Sequence, residues 1–213
     1  MSADEHRNND PIVETISTPP VPQEKSASEK TRSLILFALL VLLIVLPIRL
    51  LVAKPFIVSG TSMFPTFDTW HYLIIDQLSY RFNAPERGDV IVFRFPQNPS
   101  RFFIKRIIGL PNETVSLTGT SVTIINSDNP EGFLIDEPYV DAVNNKTSEL
   151  VMILGDNEYF VMGDNRKASA DSRYWGPLEY ERIIGRAYIR LFPFSTIDIL
   201  PGSTTYEFSN EEK

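Results

Sequence analysis

Residues 88–109 read GDVIVFRFPQNPSRFFIKRIIG, and their pattern decides the fold. Two runs rich in Val, Ile and Phe, residues 88–95 and 101–109, are bounded by turn-forming residues and are too short for ordinary helices. They predict β-strands. Six similar runs occupy 55–59, 71–76, 113–118, 121–126, 158–163 and 184–192, separated by the turn signals PERGD, LPNE, NSDNPEG, GDN and WGP. Such short intervals predict coiled antiparallel sheets rather than strands alternating with crossover helices. A short helix is expected over residues 178–183, with Pro177 at its first turn.

Residues 33–52, SLILFALLVLLIVLPIRLLV, carry a single charge, Arg49. As a helix this run would be about 30 Å long, matching the hydrocarbon core of a bilayer, and it is apolar on every side. A transmembrane anchor is expected. A buried core helix fits the all-round apolarity poorly, and the preceding tail is long for the n-region of a cleaved secretory signal. Lys25, Lys30 and Arg32 precede the span whereas Lys54 alone follows closely, which orients the N-terminus to the cytoplasm. Residues 1–32 are polar and Pro-rich, a composition expected to be disordered. The division is a tail (1–32), an anchor (33–52) and an extracytoplasmic β-rich domain (53–213).

The net charge of −7 and the lack of a basic, aromatic-interleaved patch argue against nucleic acid as a partner. No cysteine is present, which excludes thiol nucleophiles and Cys-ligated metals, and two histidines cannot build a His-rich metal site. No cofactor or metal is expected. A Ser-His-Asp triad would have only His71 as its base.

Beyond the apolar run lies VSGTSMFPTF (58–67), with hydroxyls at Ser59, Thr61, Ser62 and Thr66. Gly60 permits a sharp turn and Pro65 stiffens the exit, so Ser62 can be held at a loop tip; turn chemistry alone equally describes an ordinary loop. Lys105 lies among apolar residues, with Phe103 and Ile107 on its own side of the strand and Phe102, Ile104, Arg106 and Ile108 on the other. Desolvation there would lower its pKa, and a fall of roughly two units from about 10.4, costing about 2.7 kcal/mol, would populate the neutral amine near pH 8. A solvated lysine on a sheet edge is the alternative. GDNRKASADSRYWG (163–176) concentrates polar groups that would either form an exposed loop or brace a catalytic group.

Together SGTSMFPT (59–66), RGDVIVFRFP (87–96), FIKRIIGLPNE (103–113) and GDNRKASADSRYWG resemble, in order, the type I signal peptidases, membrane-anchored serine proteases that process exported proteins. The resemblance implies a Ser62 nucleophile and a Lys105 general base. It implies that Ser169 hydrogen-bonds the lysine, that Asp164 pairs with Arg106 and Asp171 with Arg173, and that Gly163 permits close backbone approach. It further implies an oxyanion donor at the Ser62 N–H. In one branch of the family a serine supplies a second donor where Gly60 stands here, which leaves the Gly60 backbone, Ser59, Thr61 or a water for that role. Phe56, Val58, Phe103 and Ile104 are the implied liners of pockets for small residues, and Phe64 and Phe67 the implied contacts with the bilayer. The implied partners are signal peptides, membrane lipid and the export translocon. The short stretch between Val115 and Glu158 places the chain with the compact members. A self-cleaving repressor would need a DNA-binding segment where the apolar run stands, and an inactive tethered binding module would not need the serine and lysine.

Overall fold

The computed structural model describes residues 27–47, 53–204 and 206. Two units are distinguished, residues 1–42 and 43–213. Helix α1 (Ala27–Pro47) contains most of the apolar run, and its large side chains from Leu34 to Val45 are exposed. Among the described residues no helix is long and apolar enough to cross a membrane. The charged Glu29, Lys30 and Arg32 occupy the first turns of α1, and residues 48–52 of the expected span lie outside the described residues.

The remainder is mainly β. The first sheet contains β1 (Ala53–Ile57), β2 (Tyr72–Asp76), β3 (Val90–Phe95) and β4 (Asn98–Gly109); the second begins with β5 (Thr114–Gly119), β6 (Ser121–Ile125) and β7 (Phe133–Leu134). β8 (Ser148–Ile153) completes the second sheet, and β9 (Glu158–Met162), β10 (Leu178–Glu179), β11 (Ile183–Phe192) and β12 (Asp198–Ile199) return to the first. The orders are β1-β2-β11-β3-β4-β9-β10, with β12 also on β11, and β7-β6-β5-β8. Every pairing is antiparallel.

Strand alternation explains how one sheet serves two cores. Val90 and Val92 of β3 join Met63, Phe67, Leu73 and Ile75 on one side, while Ile91 and Phe93 join Ile107, Val161 and Leu178 on the other. Ile108 turns toward a third cluster, with Val115, Leu117, Val122 and Ile124 of the second sheet. Each fully buried aliphatic or aromatic side chain of this kind contributes roughly 1.5–3 kcal/mol. At the junction, a Cβ on Gly109 would lie 2.4 Å from Val115 Cγ2, so only glycine fits where β4 meets the second sheet.

Two expectations need correction. Residues 178–183 form β10 and a 3-10 turn (Tyr180–Arg182), because Leu178 pairs with Tyr159 and is buried in the core. The helical turn lies earlier, at α2 (Ser172–Trp175), where Asp171 caps the Arg173 N–H at 3.3 Å. Phe67 cannot contact a bilayer: it is fully buried, turned inward by the Phe67 N–H to Met63 carbonyl bond of 2.8 Å. Phe64 is 40% exposed.

Candidate active site

The loop between β1 and β2 carries Ser62. Its base is tied by the Val58 N–H to the His71 carbonyl and the Trp70 N–H to the Val58 carbonyl, both 2.9 Å. Its inner side is anchored by the buried Met63 and Phe67. Gly60 has φ +103°, a backbone region that other residues rarely enter, so the turn before Ser62 depends on glycine. The Gly60 N–H is engaged by Thr69 Oγ1 at 3.3 Å, whereas the Ser62 N–H meets no acceptor among the described residues.

β4 brings Lys105 to this serine. Its Nζ donates to Ser62 Oγ at 2.6 Å and to the Ile104 carbonyl at 2.8 Å. The side chain is almost wholly removed from water, at 3% exposure. Burial drives its pKa down from 10.5 to about 8, against the opposing fields of Asp171 and Asp164. Neither aspartate forms a salt bridge with the lysine; both are committed elsewhere.

One residue further along β4, Arg106 points into the protein on the opposite side. Its Nε and Nη2 meet Asp164 at 2.9 and 2.7 Å, and Nη1 donates to the carbonyls of Gly88, at 3.0 Å, and Gly202. Burial pushes this guanidinium down, but the hydrogen bonds and charge of Asp164 outweigh it and hold the pKa above its ordinary value. Thr66 Oγ1, on the Ser62 loop, donates to Asp164 at 2.5 Å. Asp171 pairs with Arg173 at 2.8 Å and accepts the Gly163 N–H at 3.1 Å.

Gly163 has no room for a side chain. A Cβ there would lie 2.4 Å from the Ser62 carbonyl oxygen and 2.3 Å from Ser169 Oγ. The Asn165 N–H donates to that same Ser62 carbonyl at 3.1 Å, fixing the two loops together. Ser169 is buried beside them, but its Oγ has no hydrogen-bond partner among the described residues. The expected bond to Lys105 is absent; the lysine's second acceptor is the Ile104 carbonyl.

A groove of about 620 Å³ opens beside the serine. Phe56, Val58, Phe103 and Ile104 line it, with Gly60, Ser62, Lys105, Ala168 and Ala170 also facing it. Phe56 and Phe102 meet edge to face at 5.5 Å between ring centroids. β9 pairs with β4 only from Arg106 to Gly109, so the Arg101–Lys105 stretch has an open edge on that side.

The family described as signal peptidase, peptidase S26, matches residues 31–192. The chain belongs to this signal peptidase family. It is 38% identical over 168 residues to signal peptidase I of Leptolyngbya laminosa, across 76% of this chain and 79% of that protein. It is 37% identical over 158 residues to a probable signal peptidase I-2 of Synechocystis sp., across 72% and 69% respectively. A probable thylakoidal processing peptidase of Arabidopsis thaliana is 31% identical over 156 residues, across 70% of this chain and 41% of its own length.

Signal peptidase membership makes the molecule a serine peptidase. Its site also uses residues that sequence reasoning missed. Glu137 engages Arg166 Nη1 at 2.8 Å, and Tyr139 places its ring 3.8 Å from the Arg106 guanidinium. Arg166 stood in plain view inside GDNRKASADSRYWG, but nothing in spacing or periodicity connects it with Glu137, which lies far away along the chain.

Proposed function

We propose that this peptidase, which removes signal peptides from preproteins, works through Ser62 as nucleophile and Lys105 as general base. The observation that carries the reading is the 2.6 Å contact between Ser62 Oγ and a buried Lys105 Nζ whose pKa is lowered to about 8. In the neutral amine the hydrogen bond reverses: Ser62 O–H donates to the Nζ lone pair. Lys105 takes the proton as Ser62 Oγ attacks the scissile carbonyl, and the resulting ammonium protonates the leaving amine. The acyl-enzyme is then hydrolysed by a water that gives its proton to the same amine.

The Ser62 N–H, which meets no acceptor among the described residues, is our first oxyanion donor. Since Thr69 engages the Gly60 N–H, Ser59 and Thr61, which face the groove, are better placed for the second. Ser169 packs against Gly163. Asp164 with Arg106, and Asp171 with Arg173, brace the site without entering the chemistry.

Specificity for small residues at Ala-x-Ala sites is assigned to the groove. An extended substrate adds beside the open edge of β4, its alternate side chains held among Phe56, Val58, Phe103 and Ile104. Residues 33–52 form a single membrane anchor, with the N-terminus cytoplasmic and the catalytic domain outside. Support comes from the apolar run and from the exposure of its large side chains from Leu34 to Val45. Membrane lipid and the export translocon are the partners that this placement implies.

Processing of a preprotein with an Ala-x-Ala site by the detergent-solubilised chain tests the reading. Ser62→Ala and Lys105→Ala should each lower the rate on the order of 1000-fold or more with the fold retained. Near-wild-type processing by Lys105→Ala would overturn the mechanism.

A further inference from the structure

Two guanidiniums, those of Arg106 and Arg166, are buried in the polar cluster behind the site. Asp164 answers the first. The second is answered by Glu137, whose carboxylate accepts Arg166 Nη1 at 2.8 Å and Nη2 more closely still. The same carboxylate accepts the Tyr139 hydroxyl at 2.8 Å. Tyr139 also meets the Tyr206 hydroxyl at 2.6 Å, and its ring seats the Arg106 guanidinium at 3.8 Å. Arg166 Nε reaches the Gly163 carbonyl at 3.0 Å.

We propose that Glu137 is a positioning residue for the Ser62–Lys105 reaction, holding the Gly163 peptide against Ser62 through Arg166 and seating Arg106 behind Lys105 through Tyr139. The proposal rests on the dyad reading above. Its lever is the absence of slack at Gly163: the Cα lies so close to the Ser62 carbonyl and to Ser169 that even a Cβ is excluded. A shift of the Gly163 peptide therefore passes directly to the backbone of the nucleophile. It also passes to Asp171, which accepts the Gly163 N–H and whose charge acts on Lys105. Reacting groups misplaced by a fraction of an ångström lose rate at the chemical step while substrate binding, made in the groove, is unaffected.

The full chain in detergent, with an Ala-x-Ala preprotein, provides the test. Glu137→Gln keeps the shape but removes the charge that orients Arg166. It should lower kcat about tenfold or more and leave KM within about threefold, with the folded fraction by circular dichroism unchanged. Glu137→Asp, which keeps the charge, should recover part of the loss. A kcat within about twofold of wild type, or a loss that only tracks the folded fraction, overturns the proposal. Should Glu137→Gln fail to fold, Tyr139→Phe decides, since it retains the ring on Arg106 and removes only the hydroxyl, with its bonds to Glu137 and Tyr206: kcat should fall about threefold or more at constant KM, and an unchanged kcat overturns the proposal. Ser62→Ala in the same assay separates the two readings. If it remains active, the dyad reading falls and this one with it; if it is inactive beside a wild-type-like Glu137→Gln, only the role of Glu137 falls.

Discussion

Lys105 and Arg106 are neighbours on β4, both cationic and both buried, yet their surroundings differ in kind. Arg106 has a carboxylate opposite it in a two-bond fork, an aromatic face and backbone carbonyls. Lys105 has a hydroxyl, one carbonyl, the Phe103 ring at 5.4 Å and apolar walls, and the aspartates whose charge reaches it belong to other partners. Equal burial therefore produces opposite outcomes: a guanidinium locked in its charged form and an amine ready to lose its proton. Strand alternation makes this arrangement available within two residues, because successive side chains enter environments on opposite sides of one sheet.

The largest effect expected from breaking that contrast is at Arg106. Arg106→Met leaves Asp164 buried without its cation and should cost about 3–5 kcal/mol in denaturant unfolding. Lys105→Met should abolish processing yet stabilise the fold at neutral pH. The fall of the lysine from 10.5 to about 8 corresponds to roughly 3 kcal/mol against the ammonium. The sign of its pH dependence is set by a folded pKa below the unfolded one: the penalty is full below about 8 and fades as pH rises toward 10.5. The stability gained by Lys105→Met over wild type should shrink across that window. A gain that stays constant across it would contradict a buried amine titrating near 8.

A smaller effect is expected at Asp171. Its negative charge raises the lysine against the larger desolvation effect, so Asp171→Asn should move the acid limb of the kcat/KM profile to lower pH, by less than about one unit. An acid limb that moves to higher pH would reverse the assigned electrostatics. The smallest effect belongs to the exposed Arg182–Glu179 pair, where Arg182→Ala should change stability by no more than about 0.5 kcal/mol.

Much of this contrast was legible in the amino-acid sequence. The strand around Lys105 stood out because apolar residues flank the Lys105–Arg106 pair on both sides, and the opposite directions of these two follow from alternation alone. Ser62 emerged only when its loop was joined to the lysine strand and GDNRKASADSRYWG. Strand β8 escaped notice because its large residues Val151 and Ile153 point outward, so it lacks the usual signature of apolar-in, polar-out alternation. β7, β10 and β12 are two residues each, below the length at which periodicity carries information. Phe67 read as an exposed aromatic on a loop, and tertiary packing took it into the core. The Glu137–Arg166–Gly163 chain of contacts had no local signal, since each link joins segments distant in sequence or hidden within a polar run. Ser169 lies against Gly163 without its expected bond to the lysine, because that bond depends on side-chain geometry that residue order does not encode.

The central claim, that burial without a dedicated counter-ion makes Lys105 a base, is tested most directly by titrating that amine. In the detergent-solubilised chain with isotope-labelled lysine side chains, the Lys105 signal is assigned by its disappearance in Lys105→Met and followed by NMR as pH is raised. A midpoint near 8 is the predicted result. A midpoint at the ordinary lysine value near 10.5 would contradict the account.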